Sequence, residues 1–542
     1  MNITAILAST YIISVVGLFV FIFSIRKGGG QSRPDGGNII FEPGEIGTAE
    51  DPSLSKGARR ALQASIQRSD ISRNESTDLS VRIIGDRSSR GVVFVLLASA
   101  TAWLLVGSVF GLISSIKLHN PDWLVEQAWL TFGRTRMVHL NAVAYGWTAM
   151  AALAVATWML PRLLRTPLAG RTFSYLGTVL WNIGVAAGLF WIATEGNDGL
   201  EWLEIPWEIG ALFAVGGALI GVPLVKMLPH AKVDHLYVSV WYIGAALFWF
   251  PILYLVAKIP GLHTGVEHAT MNWWYGHNVL GYFFTPMALA TVYYLVPKII
   301  GRPVQSYDLS LIGFWTLAFF YGQVGAHHLI GGPIPTWLVT LSIVQSVMMV
   351  IPVIAFSVNQ HQTMCGHFRA LLHSHTLRFI LFGAMMYTVA SLQGSIQALR
   401  FVNNSTHFTH FTVAHAHLGM YGFVAMVLFG AAYFVMPRVL DVEWPQPKLI
   451  AVHFYLVVAG FAVYLVLLSI GGWLQGTVLL DAAKPFIESV KVTLPYLKGR
   501  SIGGALMTLG HFVFAWHMVL MIAARLRLER TQAADAIPTA NV

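Results

Sequence analysis

Apolar runs of about 20 residues recur along this chain, and each is long enough to cross a bilayer as a helix. One lies at 4–24. Twelve more lie near 91–116, 136–160, 172–194, 207–228, 236–257, 273–297, 308–330, 336–357, 377–399, 410–436, 447–470 and 502–526. Only 11% of the residues are charged, against roughly 25% in a soluble domain. The expected fold is therefore an all-α integral membrane protein, with twelve helices in one bundle over 91–530 and one extra helix in front. The first run has Asn2 instead of a positive n-region and no small-residue cleavage site. It is expected to stay as an anchor over 1–25.

Residues 26–90 are rich in Gly, Ser, Asp and Arg, with little hydrophobic periodicity. They are expected as a flexible tether, interrupted by the apolar patch Ile39-Ile40-Phe41. Arg26, Lys27, Arg33, Arg68, Arg82 and Arg90 put the tether in the cytoplasm, since positive residues stay inside. Alternating from there, loops with Arg162 and Arg165, with Lys298 and Arg302, and with Arg369 and Arg378 fall inside. The acidic stretch Glu195–Glu204 falls outside, and Arg525 and Arg527 fall inside, followed by a tail at 531–542.

Histidine is the unusual residue here. The chain has 20 His and one Cys. A single Cys excludes a disulfide framework, a haem-attaching C-x-x-C-H and a cysteine-bound cluster. His inside a membrane is costly and marks function by default. On the charge-derived topology, His139, His277, His327, His328, His415 and His417 all fall near the outer ends of four spans. His415 and His417 point about 200° apart on a helix, so they suit two cofactors on opposite faces. Adjacent His327 and His328 suit one metal if their helix end loosens. With His277 they leave an open coordination position, as a catalytic copper needs. One intramembrane His is as readily a packing residue, and His511 and His517 are expected in that role. His361, His367, His373 and His375, beside Cys365, read as a solvated basic loop.

Five strings carry a family resemblance: FGRTRMVHLNA (132–142), HLYVSVWY (235–242), WWYGHN (273–278), YGQVGAHH (321–328) and HFTHFTVAHAH (407–417). Together they resemble the catalytic subunit of the cbb3-type cytochrome c oxidases, the C family of haem-copper oxygen reductases. The resemblance implies His139 and His417 on a low-spin haem b, His415 on a high-spin haem, and His277, His327 and His328 on copper. It implies Tyr321 as the catalytic tyrosine, linked to a copper-ligand His, and a proton route through Thr285, Tyr387 and Tyr321. Tyr321 and His328 are seven residues apart, so a shared α-helical face is expected. Other oxidase families carry this tyrosine four residues after the first copper ligand, where this chain has Gly281.

Gln393, Asn403 and His407 are expected beside the ligands, with Gln393 where the family usually has Glu. Glu201 and Glu204 are candidates for a calcium ion. The implied partners are membrane-anchored mono-haem and di-haem c subunits and oxygen, with no nucleic acid, in a bacterial inner membrane. The stretch IIFEPGEIG and the span before it resemble the small single-span assembly protein of the same oxidases, fused in front. Two alternatives compete: a nitric oxide reductase of the same superfamily and, more remotely, a twelve-span transporter. Tyr321 and Gln393 disfavour the first, and the histidine layer disfavours the second.

Overall fold

The computed structural model describes the backbone of residues 73–535 and the side chains of 82–532. Among them are twelve helices long and apolar enough to cross a membrane. They are α1 Arg82–Lys117, α2 Phe132–Leu164, α3 Arg171–Thr194, α4 Trp207–His230, α5 Val238–Lys258, α6 Gly265–Ile300, α7 Tyr307–Leu329, α8 Thr336–Met364, α9 His375–Gln397, α10 His410–Leu440, α11 Lys448–Leu479 and α12 Phe486–Gln532. Number and order match the twelve expected spans. The span at 4–24 and the tether up to residue 72, with its apolar patch, lie outside the described residues, as does the tail beyond 535.

Residues 73–90 correct the tether boundary. They are helical and continuous with α1, in one helix Arg73–Lys117. Tertiary contacts hold the last turn of this polar stretch. Asp86 takes a two-pronged pair from Arg162, at 2.6 Å from Nε and 2.7 Å from Nη2. Arg90 pairs with Asp441 at 2.5 Å, and Ser88 Oγ accepts from the Leu168 amide at 2.8 Å. Paired charges in fixed geometry are worth more than exposed single ones.

Three helices form the centre of the bundle. The most apolar windows of α2, α6 and α10 are 94%, 89% and 83% buried, against 33–61% for the other nine. The outer helices present Phe190, Phe248, Phe319 and Trp516 at the surface, as lipid contact requires. Each central helix carries predicted ligand histidines, and each contains a π-helical segment just after them: Ala142–Thr148, Leu280–Phe284 and Leu418–Ala425. Such wide turns are rare and concentrate at functional sites. Outside the centre, α11 lies hard against the segment that leads into α10. A Cβ on Gly472 would meet the backbone of Phe411, and one on Gly476 the carbonyl of Ser405. Glycine at both positions sets the approach that places His415 and His417.

Candidate metal centre

His277, His327 and His328 each offer a ring nitrogen within 4.8 Å of the others, the only such group among the described residues. His361, His367, His373 and His375 form no comparable cluster there. The end of α7 does loosen: Tyr321–Leu329 is a nine-residue 3₁₀ segment. Ser342 holds it from α8, its Oγ accepting from the His327 amide at 2.8 Å and donating to the Val324 carbonyl. Asn278 donates to the Gly322 carbonyl at 2.9 Å. With three residues per turn, Tyr321, Val324 and His327 fall in one row. The α-helical face expected for Tyr321 and His328 is thus replaced by one shared with His327. His327 Nδ1 lies 2.9 Å from Ser346 Oγ, which leaves Nε2 for a metal. The His328 ring stacks on Trp273 at 4.2 Å, and His407 bonds the His328 backbone.

Tyr321 lies against this trio, its ring 5.1 Å from that of His277. The neighbouring turn of α6 explains how it fits. A Cβ on Gly281 would fall inside the Tyr321 ring, so glycine there is the space the tyrosine occupies. Gly281→Ala is expected to cost about 1–3 kcal/mol of overpacking. A thermal melt of the purified protein checks this, and an unchanged Tm would show that the space is free.

The other three histidines face the same cavity, which His139, His277, His327, His328, His415, His417 and Tyr321 all line. The His139 and His417 rings are nearly parallel, 7° apart, with centres separated by 6.4 Å. That is too far for ring contact. Metal–imidazole bonds of about 2.0–2.1 Å on each side, with the depth of each ring, give roughly this spacing. His139 Nδ1 donates to the Gly107 carbonyl at 2.7 Å and His417 Nδ1 to the Val413 carbonyl at 2.9 Å. His415 Nδ1 donates to Gln393 Oε1 at 3.1 Å. A carbonyl can only accept, so in all three rings Nδ1 carries the proton and Nε2 is the unprotonated nitrogen, as metal ligation requires. His417 Nε2 meets the Tyr464 hydroxyl at 3.2 Å, a contact that a metal on that nitrogen would replace.

Thr285 and Tyr387 line the cavity with Tyr321. Asn403 does not; its Nδ2 reaches the Gln397 carbonyl at 3.5 Å. Glu201 is paired with Arg136 at 2.5 Å. Glu204 is buried, accepts from Asn141 at 3.1 Å and keeps Oε1 without a partner. Burial pushes its carboxyl up to about 7, against the hydrogen bonds that favour the ionised form.

Sequence reasoning missed two groups. Arg136, His410 and Arg500 also line the cavity, and Arg500 Nε and His410 Nδ1 are buried without partners. Arg136 stands one turn before His139, a signal the sequence held. Arg500 arrives from α12, so nothing local marks it. A second set of polar groups continues inward from Tyr387. Phe356 packs between the Tyr387 and Tyr293 rings, Tyr242 stacks on Tyr293, and Asn359 donates to Ser310 at 3.0 Å and to the Ser306 carbonyl at 2.7 Å.

The chain matches the family described as "Cytochrome C and Quinol oxidase polypeptide I" over residues 91–506. It is 30% identical over 452 residues to the "Cbb3-type cytochrome c oxidase subunit CcoN1" of Stutzerimonas stutzeri, covering 80% of this chain and 95% of that one. It is 29% identical over 461 residues to "Cytochrome c oxidase subunit 1" of Rhodobacter capsulatus, covering 80% and 85%. A more distant relative is a nitric oxide reductase chain of Stutzerimonas stutzeri, 24% identical over 447 residues, covering 75% and 90%. Among solved structures, a heme-copper terminal oxidase dimer shares the fold with a TM-score of 0.65 at 16% identity, over 80% of this chain and 84% of that one.

Proposed function

The chain belongs to the cytochrome c and quinol oxidase polypeptide I family, and from that premise we propose that it is the catalytic subunit of a C-type terminal oxidase that reduces oxygen to water. It is an oxidoreductase and a multi-pass membrane protein, and its family implies haem and copper. The observation that carries the reading is the grouping of six histidines on one cavity as a facing pair, a single ring and a trio, with Tyr321 against the trio.

In this reading His139 and His417 hold a low-spin haem b, His415 holds a high-spin b-type haem, and His277, His327 and His328 hold copper. When bound, these groups carry electrons to oxygen and bind it for reduction. The rest is the work of the chain's own side chains. The Gly107 and Val413 carbonyls and Gln393 fix each axial histidine in the ligating tautomer. Gln393 keeps this role without being able to titrate, unlike the Glu usual in the family. Arg136, Arg500 and His410 would receive haem carboxylates, which supply partners for the buried Arg500 Nε and His410 Nδ1. A calcium ion at Glu201 and Glu204 would find oxygens in the unpartnered Glu204 Oε1 and Asn141 Oδ1, with Arg136 held on Glu201 Oε1.

Protons reach Tyr321 from the cytoplasmic side through Ser310, Asn359, Tyr293, Tyr242 and Tyr387, with Thr285 beside the end of the path. Tyr321, linked to His277, gives a proton and an electron as the O–O bond breaks. Electrons enter from membrane-anchored mono-haem and di-haem c subunits, in a bacterial inner membrane. Reduction of nitric oxide is the competing activity, and Tyr321 and Gln393 favour oxygen.

Haem and copper analysis of the purified complex, with oxygen and nitric oxide turnover compared, tests the proposal. Two haems and one copper per chain with faster oxygen turnover are expected; iron in place of copper with faster nitric oxide turnover would reverse it. For the low-spin site, His417→Ala is expected to remove the low-spin haem band while sparing the high-spin haem more than His415→Ala does. Reduced-minus-oxidised spectra of the two variants check this, and equal loss of both haems in folded protein would count against the assignment.

A further inference from the structure

Three buried histidines have no ligand role in the site above: His453 on α11, and His511 and His517 on α12. Packing is the role the sequence suggests for the last two, yet both have polar partners. His517 Nε2 donates to the Pro445 carbonyl in the turn between α10 and α11, which the charge bias of the loops puts on the cytoplasmic side. Its ring lies 5.9 Å from that of Tyr433, and the Tyr433 hydroxyl is 3.1 Å from His453 Nδ1. The His453 ring is 6.5 Å from that of His511. His511 bonds on both sides, Nδ1 at 2.6 Å from Ser108 Oγ and Nε2 at 2.8 Å from the Tyr421 hydroxyl. Ser108, His511 and Tyr421 line the cavity shared by His139 and His417.

A purely structural role does not explain imidazoles at these positions. Phe379, Phe429, Phe514 and Trp444 wall the row, and an aromatic hydrocarbon would pack among them as well. Instead His453 Nε2 and His517 Nδ1 are buried with no protein partner. Each such atom costs about 1–3 kcal/mol unless something pairs with it, and water is the usual partner in a polar interior. The row therefore reads as hydrogen-bonding groups spaced for bridging water, running from the cytoplasmic turn to the cavity wall. At its mouth Asp441 is paired with Arg90 and lies 3.8 Å from Arg525.

We propose that His517, Tyr433, His453, His511 and Tyr421 form a proton-conducting row from the cytoplasmic face to the side of the cavity that holds His139 and His417, separate from the path through Tyr387. It rests on the assignment of those two histidines to the low-spin haem. Each imidazole takes a proton on one nitrogen and releases one from the other, and each hydroxyl accepts one and donates one, so the row moves charge without net chemistry. Its use is compensation: an electron arriving in a low-dielectric interior is stabilised by a proton arriving with it.

The test uses the complete oxidase complex in sealed vesicles, with proton uptake followed by a pH dye as the low-spin haem is reduced. His453→Phe fills the ring volume and removes both nitrogens. It is expected to slow that uptake by about 100-fold or more, the scale for losing a positioned proton-transfer group, while both haem bands and oxygen consumption are retained. Tyr387→Phe should show the converse, lost oxygen consumption with the uptake kept. His517→Phe, at the far end of the row, reports the same step if His453→Phe does not assemble. Wild-type uptake in a folded variant of either residue overturns the proposal. Absence of a low-spin haem from the wild-type complex would instead overturn the assignment on which it rests.

Discussion

Tyr321→Phe is expected to stop oxygen reduction and to leave both haems and the copper in place. The substitution removes one hydroxyl at nearly constant volume, so the packing that Gly281 allows around the ring is undisturbed. His139, His327, His415 and His417 keep their own hydrogen-bond partners, so the contact altered is the proposed link to His277, which phenylalanine would not form. What is lost is a proton and an electron at the moment the O–O bond breaks; a phenol carries its proton at neutral pH and can give both together. Loss of a positioned proton donor alone is worth roughly 100-fold or more in rate. Carbon monoxide binding to the reduced high-spin haem should survive, because it precedes that step. A tryptic map of the wild type should show Tyr321 joined to the peptide that carries His277. Oxygen turnover near the wild-type rate in Tyr321→Phe would end the oxygen-reductase reading.

His327→Ala is expected to empty the copper site and abolish turnover while the low-spin haem band is unchanged. Three imidazoles are what the trio offers, and two of them with no third donor leave a weak site. The effect should be local, because His139 and His417 hang from other helices and their own carbonyl partners. A graded version tests the same geometry: Ser346→Ala removes the hydroxyl at His327 Nδ1 and should weaken copper by about 10–100-fold. Metal analysis after dialysis against a chelator reads both. Full copper and full oxygen consumption in His327→Ala would remove the trio from the mechanism.

Much of this was legible in the chain itself, for identifiable reasons. Hydropathy is additive along a span, so twelve crossings could be counted without knowing how they pack. Charge bias orients loops one by one, and it brought six histidines to one depth before any contact was known. The separation of His415 from His417 follows from the period of a helix and nothing else.

Tertiary structure decided what depends on a neighbour distant in sequence. The last turn of the polar stretch, 86–90, is held where Arg162 and Asp441 meet Asp86 and Arg90, residues that no local pattern connects. The 3₁₀ turn at Tyr321–Leu329 is fixed by Ser342 and Asn278, from two other helices, and it moved the row of Tyr321 from His328 to His327. Arg500 reaches the cavity only because α12 packs along α11 and α1. Gly281 shows the division most clearly. The sequence marks it as a position without a tyrosine. Only the fold shows why: the ring of Tyr321, from the next helix, fills the volume that a side chain at Gly281 would need.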